Sequence, residues 1–348
     1  MLFWGHYERL SSWAKRRIST DPFLRANLVR LLFCGTPSFA VPTLKLLLVQ
    51  SDIEIVGVIT QPDRPRGRGQ EVSVSPVKEA ALAAELAVHQ PEKIRASESE
   101  ALLRKLAPDC IVIIAYGQII PARLLPIPKL GWINLHASLL PKYRGAAPIN
   151  WAIVNGETRT GVTTMRIDAG MDTGEMLLQR EVEIGASETA PELAIRMAHL
   201  GAPLMAETLR VLAAGTITPK VQNHAEASYS PMLKKEDGRI DWNRPALEIY
   251  NRMRGFAPWP GAYTAFRGQN GHIWGEVVSN EGSASLPSAA DAPGPGTLLF
   301  EKNELFVCCG DATVLRVRAV KLEGRKQVSA LEFANGTRLK SGERFGDT

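Results

Sequence analysis

Asn134 and His136 stand two residues apart at the end of an apolar run, Trp132-Ile133, inside the stretch Gly131 to Asn150. In an extended strand, residues i and i+2 share a face, so an amide and an imidazole project side by side from a strand end. That pair can hold a developing oxyanion and move a proton in one step. Immediately afterwards the chain turns through Ser138-Leu139-Leu140-Pro141 and the Gly/Pro-rich Arg144-Gly145-Ala146-Ala147-Pro148. Further on, Asp168-Ala169-Gly170-Met171-Asp172-Thr173-Gly174 sets two carboxylates on a glycine-bounded loop. Asp172 reads either as a turn-former, as residues of D-x-G loops commonly are, or as a carboxylate that orients His136 or relays a proton through water. An isolated N-x-H is more often a strand-end amide beside a hydrogen-bonded histidine. Its surroundings decide.

A third stretch, Gln61 to Gln70, places Arg64, Arg66 and Arg68 at alternate positions among glycines and prolines. Loops between strand and helix usually run about 2–6 residues, and longer ones are often functional. Three arginines so spaced suit a phosphate backbone, although a solvated loop has the same composition.

The elements that must position these groups are legible as runs. Leu28 to Cys34, Glu54 to Thr60 and Cys110 to Ile114 are apolar strands; a helix reaches about Val49, and others span Pro76 to Leu86 and Ser99 to Leu106. Strands with no polar face, alternating with helices, predict an α/β domain with a parallel sheet covered on both sides. Ligands then bind at the carboxyl ends of the strands, where Asn134 and His136 fall. Gly161 to Ile167 and Glu175 to Ile184 read as further strands, and Glu188 to Ala214 as a long helix. Gly35-Thr36-Pro37 belongs to neither a G-x-G-x-x-G nor a G-x-x-x-x-G-K-[ST] pattern, so it reads as a tight strand-to-helix turn with proline at the helix start.

These runs give an extension over 1–28, a first domain over 29–215, a polar connector over 216–228 and a second domain over 229–343. In the second, short strands split by turns predict a small OB-like β-barrel, with a helix from Pro245 to Gly255 and a mobile Ser/Ala/Pro-rich loop from Glu281 to Gly296.

The bulk numbers exclude some classes. In 348 residues no apolar run approaches the ~20 needed to cross a bilayer. Residues 1–30 hold six basic against two acidic side chains, a balance of +4, which leaves +1 of the total +5 for the other 318 residues. A nucleic acid would therefore meet local basic patches and not a global field. The extension lacks the apolar core of a secretory signal; it reads as an upstream-assigned start or a targeting peptide. Cys34 and Cys110 lie in apolar runs, Cys308 and Cys309 are adjacent, and no C-x-x-C exists. That argues against zinc or a disulfide framework and fits a reducing cytoplasm.

Taken together, Asn134, His136 and Asp172 resemble the pattern of the 10-formyltetrahydrofolate-dependent formyltransferases, which share an N-x-H-x-S strand end and a D-x-G loop on a Rossmann-like sheet. The likeness extends through Phe33 to Pro37, Thr60 to Pro65 with Gly67 to Gly69, Ala115 to Gly117, Ser138 to Ile149, Gly170 to Gly174, Ile240 to Trp242 and Phe333 to Gly336. The Arg/Gly loop resembles the branch of that family that acts on methionyl-tRNA. The resemblance implies that Asn134, His136 and Asp172 are catalytic. It implies that Ser138, Leu139, Leu140 and Pro141 contact the folate, and that Arg64, Arg66 and Arg68 meet the acceptor end of the tRNA while the C-terminal barrel holds its backbone. The implied co-substrate is 10-formyltetrahydrofolate, the partner initiator methionyl-tRNA, and the enzyme a cytoplasmic monomer needing no metal and no membrane. The basic extension and the length of the 281–296 loop depart from the pattern. A sugar-nucleotide or small-amine formyltransferase, and a non-catalytic RNA-binding protein, are the alternatives.

Overall fold

Leu31, Leu32, Phe33 and Cys34 carry no polar side chain, and all four are fully buried in the strand at the middle of the first sheet. The computed structural model describes residues 28–66, 71–278 and 293–346. In chain order the strands of this part are β1 (Val29–Gly35), β2 (Ile53–Ile59), β3 (Arg64–Arg66), β4 (Glu71–Ser73), β5 (Val88–His89), β6 (Cys110–Ile114), β7 (Trp132–His136), β8 (Arg144–Gly145), β9 (Arg159–Arg166) and β10 (Met176–Glu183). The helices over the same stretch of chain are α1 (Val41–Leu48), α2 (Pro76–Ala83), α3 (Ser97–Leu106), α4 (Pro148–Val154), which falls in the second unit, and α5 (Ala190–Ala213), whose first residues do too. Seven strands form one sheet in the order β10-β9-β7-β6-β1-β2-β5.

The pairs β1–β2, β1–β6, β2–β5 and β6–β7 are parallel. The parallel expectation stops there: β9 runs antiparallel to β7, with Asn134 opposite Met165 and His136 opposite Thr163. A strand buried on both faces reads the same in either direction, so its sequence carries no sign of this. From β1 the chain builds outward first through β2 and β5, then on the other side through β6 and β7. The reversal puts the topological switch point at the carboxyl ends of β1 and β6. There Thr36 Oγ1 donates to the carbonyl of Tyr116 at 3.2 Å. The fit at Gly35 is close, since a Cβ would lie 3.1 Å from the carbonyl oxygen of Ile114 and 3.0 Å from Ala40.

The chain divides into two compact units. The first takes in residues to Gly145, Thr160–Glu183 and Ala194–Tyr229; the second takes in Ala146–Arg159, Ile184–Leu193 and the residues from Ser230 onward. The polar connector therefore lies within the first unit, where the backbone of Lys220 pairs with that of Met176.

After the short β11 (Tyr229–Ser230) and helix α6 (Ala246–Gly255), the second unit carries β12 (Tyr263–Phe266), β13 (Gln269–Val277), β14 (Leu298–Glu301), β15 (Glu304–Cys308), β16 (Val314–Leu322) and β17 (Val328–Ser329). These last six form one antiparallel sheet, ordered β12-β13-β16-β15-β14 with β17 on β16. Ile273, Leu315, Val317, Val320, Phe333 and Phe345 are among the residues of its core. Residues 279–292, which hold most of the expected mobile loop, and 1–27, most of the extension, lie outside the described residues.

One helix of this unit, α7 (Ala330–Thr337), was not expected, although Ser329-Ala330-Leu331-Glu332 is an S-x-x-E start signal. Ser329 Oγ accepts from the backbone N–H of Glu332 at 3.2 Å, and the Glu332 carboxylate accepts the N–H of Ser329 at 2.8 Å. Removing such a cap costs about 1 kcal/mol. Ser329→Ala should lower the thermal midpoint by a few degrees and leave the activity of the folded enzyme unchanged, read by calorimetry beside a turnover assay.

Candidate active site

Trp132, Ile133 and Leu135 are buried and fix β7 in the sheet, with Trp132 Nε1 donating to the carbonyl of Leu124 at 3.0 Å. Those anchors leave Asn134 and His136 on one face at the strand's carboxyl end. Asn134 is partly exposed, and its amide makes no side-chain hydrogen bond among the described residues.

His136 is buried, and its Nε2 lies 2.9 Å from the carbonyl oxygen of Tyr143. A carbonyl only accepts, so Nε2 is the donor in this contact and Nδ1 is the other ring nitrogen. Nδ1 lies 3.6 Å from Asp172 Oδ2. The same carboxylate oxygen accepts the backbone N–H of Gly145 at 2.8 Å, which fixes its position. The imidazole edge thus faces a carboxylate across 3.6 Å.

The two aspartates of the D-x-G loop are placed differently. Asp168 Oδ1 accepts from the N–H of Gly170 at 3.0 Å and from the Thr173 hydroxyl at 2.7 Å, so Asp168 is the turn-former. Asp172 takes the left-handed backbone, φ 52°, that aims its carboxylate at His136. Gly174 is obligatory, since a Cβ there would sit 1.9 Å from the carbonyl oxygen of Arg166.

Ser138 and Leu140 are buried, and the side chain of Ser138 serves its own loop, donating to the carbonyl of Lys142 at 2.6 Å. The Ser138 carbonyl accepts from Thr163 Oγ1 at 2.7 Å, and the carbonyl of Leu140, ahead of a cis proline, accepts from Gln179 Nε2 at 2.8 Å. The Ser-Leu-Leu-Pro turn is therefore a rigid shelf whose partly exposed side chains are Leu139 and Pro141. Among the described residues, no three His, Cys, Asp or Glu side chains gather as metal ligands.

Residues 29–209 match the formyl transferase domain and residues 232–338 the formyl transferase C-terminal domain. A methionyl-tRNA formyltransferase of Solibacter usitatus is 55% identical over 320 residues, spanning 92% of this chain and 99% of that protein. The chain belongs to the methionyl-tRNA formyltransferase family. Its relative from Acidobacterium capsulatum is 50% identical over 319 residues, 91% of this chain and all of that one at 100%. Among solved structures, the sugar 3N-formyl transferase WlaRD superposes with a TM-score of 0.59 at 18% identity, over 86% of this chain and 99% of that one. At that distance the likeness is one of fold.

The described part of the arginine stretch is paired: β3 runs antiparallel to β4, Arg64 opposite Ser73 and Arg66 opposite Glu71. Arg64 is exposed, its nearest acid Glu92 at 3.9 Å. Arg66 is placed by its backbone alone, and Arg68 lies outside the described residues. The root of the hairpin is tied down. Lys78 Nζ donates to Asp63, whose other oxygen accepts from Gln90 Nε2 at 2.9 Å, and this holds the Asp63 carboxyl below the usual carboxylate range, Lys78 first and Gln90 second. Gln61 Nε2 reaches the Tyr116 carbonyl at 3.0 Å, connecting the root to the switch point.

Sequence reasoning missed the buried polar groups around the trio. Arg144 lies inside the Ser138 to Ile149 stretch with no role read for it, and Gln222, in the connector, belongs to no motif.

Proposed function

We propose that this chain transfers the formyl group of 10-formyltetrahydrofolate to the α-amine of initiator methionyl-tRNA, giving N-formylmethionyl-tRNA for translation initiation. Residues 29–215 are read as the catalytic domain and 229–343 as the tRNA-holding domain of a cytoplasmic monomer. The observation that carries the proposal is the convergence of Asn134, His136 and Asp172 in a chain 55% identical, nearly end to end, to a methionyl-tRNA formyltransferase.

The folate supplies a formyl carbon on N10; the residues supply charge and proton management. An α-amine has a reference pKa of about 7.7–8.0, lowered further by esterification, so a neutral fraction exists at pH 7. As the amine nitrogen bonds to the formyl carbon, charge gathers on the formyl oxygen, and the unpartnered Asn134 amide donates to it. The amine must shed a proton and N10 must gain one. His136 Nδ1 takes the proton while Asp172 stabilises the resulting imidazolium, and then returns it to the departing N10. The shelf of Ser138 to Pro141 carries the folate through the surfaces of Leu139 and Pro141.

Arg64, Arg66 and Arg68 bind the acceptor stem. Arg68→Ala should raise KM for methionyl-tRNA by about tenfold, the loss of one charge-assisted phosphate contact, and leave KM for the folate unchanged. Steady-state kinetics with each substrate varied reads the difference. The acceptor itself is tested by offering methionyl-tRNA and an amino-sugar nucleotide in competition with labelled formyl donor. Label in the tRNA supports the reading; label in the sugar removes it.

A further inference from the structure

Gln222 reaches the reaction centre from the connector, and it is 2% exposed. Its amide is fully used. The nitrogen donates to the backbone carbonyls of Asp172 at 2.8 Å and Gly174 at 2.7 Å. The oxygen accepts Arg144 Nε at 3.0 Å and Nη2 at 2.8 Å. Arg144 is 1% exposed, and its Nη1 also donates to His224 Nδ1 at 3.1 Å. A primary amide has two donors and two acceptor sites, and this one fills all four within the first unit.

We infer that Gln222 is a positioning residue for the transfer reaction, acting through the backbone of the Asp172 loop, with Arg144 as the group that orients and polarises it. The inference rests on the catalytic role proposed above for Asp172.

Three features of the loop make such a support necessary. Asp172 holds a left-handed backbone at φ 52°, which aspartate tolerates better than most residues with a Cβ but still at some cost. The Asp168 turn fixes the near side of the loop, through Gly170 and Thr173, but touches nothing beyond Thr173. Gln222 fixes the far side, bracketing Thr173 by holding the carbonyl on either flank. Two guanidinium N–H groups on the amide oxygen draw charge from it and strengthen the two N–H donors aimed at the loop. In a buried setting each of these bonds is strong, and leaving a partner unmet is costly. The Asp172 carboxylate, 3.6 Å from His136 Nδ1, thereby keeps its place without a side-chain contact of its own to Gln222.

Two substitutions separate loop support from mere partnership with Arg144. Gln222→Met keeps the volume and removes all four bonds. Gln222→Glu keeps an acceptor for Arg144 but turns a carboxylate oxygen toward the Asp172 and Gly174 carbonyls, where a donor is needed. Both should lower kcat at least tenfold, with KM for folate and for methionyl-tRNA within about twofold of the parent and a folded, cooperative thermal transition. Wild-type kcat in Gln222→Glu would overturn the inference, because it would make Gln222 only a partner for Arg144. Parent-like kcat in both, or a loss that appears as KM for either substrate, would overturn it too. The parent protein is assayed alongside with methionyl-tRNA and, separately, with small-amine acceptors. The parent's acceptor preference reports on the proposed function, and the Gln222 comparison is made with whichever acceptor it formylates.

Discussion

Asn134→Ala should lower kcat by about 10²–10³-fold, the usual cost of losing one donor to a developing oxyanion. The fold should barely notice. The amide makes no side-chain hydrogen bond among the described residues, so truncation leaves no protein group unsatisfied. Its strand stays anchored by the buried Trp132, Ile133 and Leu135. KM for either substrate should change far less than kcat, because the contact strengthens only as charge builds on oxygen. Single-turnover kinetics with a thermal melt of the same preparation checks both halves. A variant that retains full kcat, or that unfolds, contradicts the role given to Asn134.

Asp172→Asn should be as damaging, and it is the sharper substitution. Asparagine tolerates the left-handed backbone at this position, and its oxygen can still accept the Gly145 N–H, so the loop should keep its form. What it loses is the charge facing His136 Nδ1. A positioned acid–base partner contributes typically 10²–10⁴-fold, and a loss in that range is expected in kcat. Asp168→Asn serves as the comparison: that carboxylate only closes a turn, and an asparagine closes the same turn through its own oxygen. Its kcat should stay within a few-fold of the parent. Equal losses at the two positions would mean that the loop's shape, and not the Asp172 charge, is what matters.

The central strands and the shared face of Asn134 and His136 were legible for the same reason: each is a local pattern. Leu31 to Cys34 can only be a buried strand, and an amide and an imidazole at i and i+2 must share a face. Which aspartate of the D-x-G loop closes the turn and which faces His136 was not legible. That depends on backbone geometry at Asp172 and on where Gly145 comes to lie. The direction of β9 was hidden because Val162, Thr163, Thr164 and Met165 are all buried, leaving no polar face to mark it. β5, two residues long, is too short to register as a run.

Gln222 shows the limit most plainly. The connector reads only as polar; in the structure Val221 is 77% exposed and Gln222 is inside. Four hydrogen bonds hold Gln222 there, and their partners lie 48 to 78 residues away in the chain. The C-terminal helix is a different case, since its S-x-x-E start was present in the sequence and needed only to be used.

The most direct measurement is formyl transfer from 10-formyltetrahydrofolate to methionyl-tRNA, initiator against elongator, with His136→Ala beside the parent enzyme. His136→Ala removes the only imidazole that meets Asp172 among the described residues. Transfer to the α-amine of the initiator alone, lost in that variant, is the predicted result. Transfer undiminished in His136→Ala, or no transfer to either tRNA, would contradict the account.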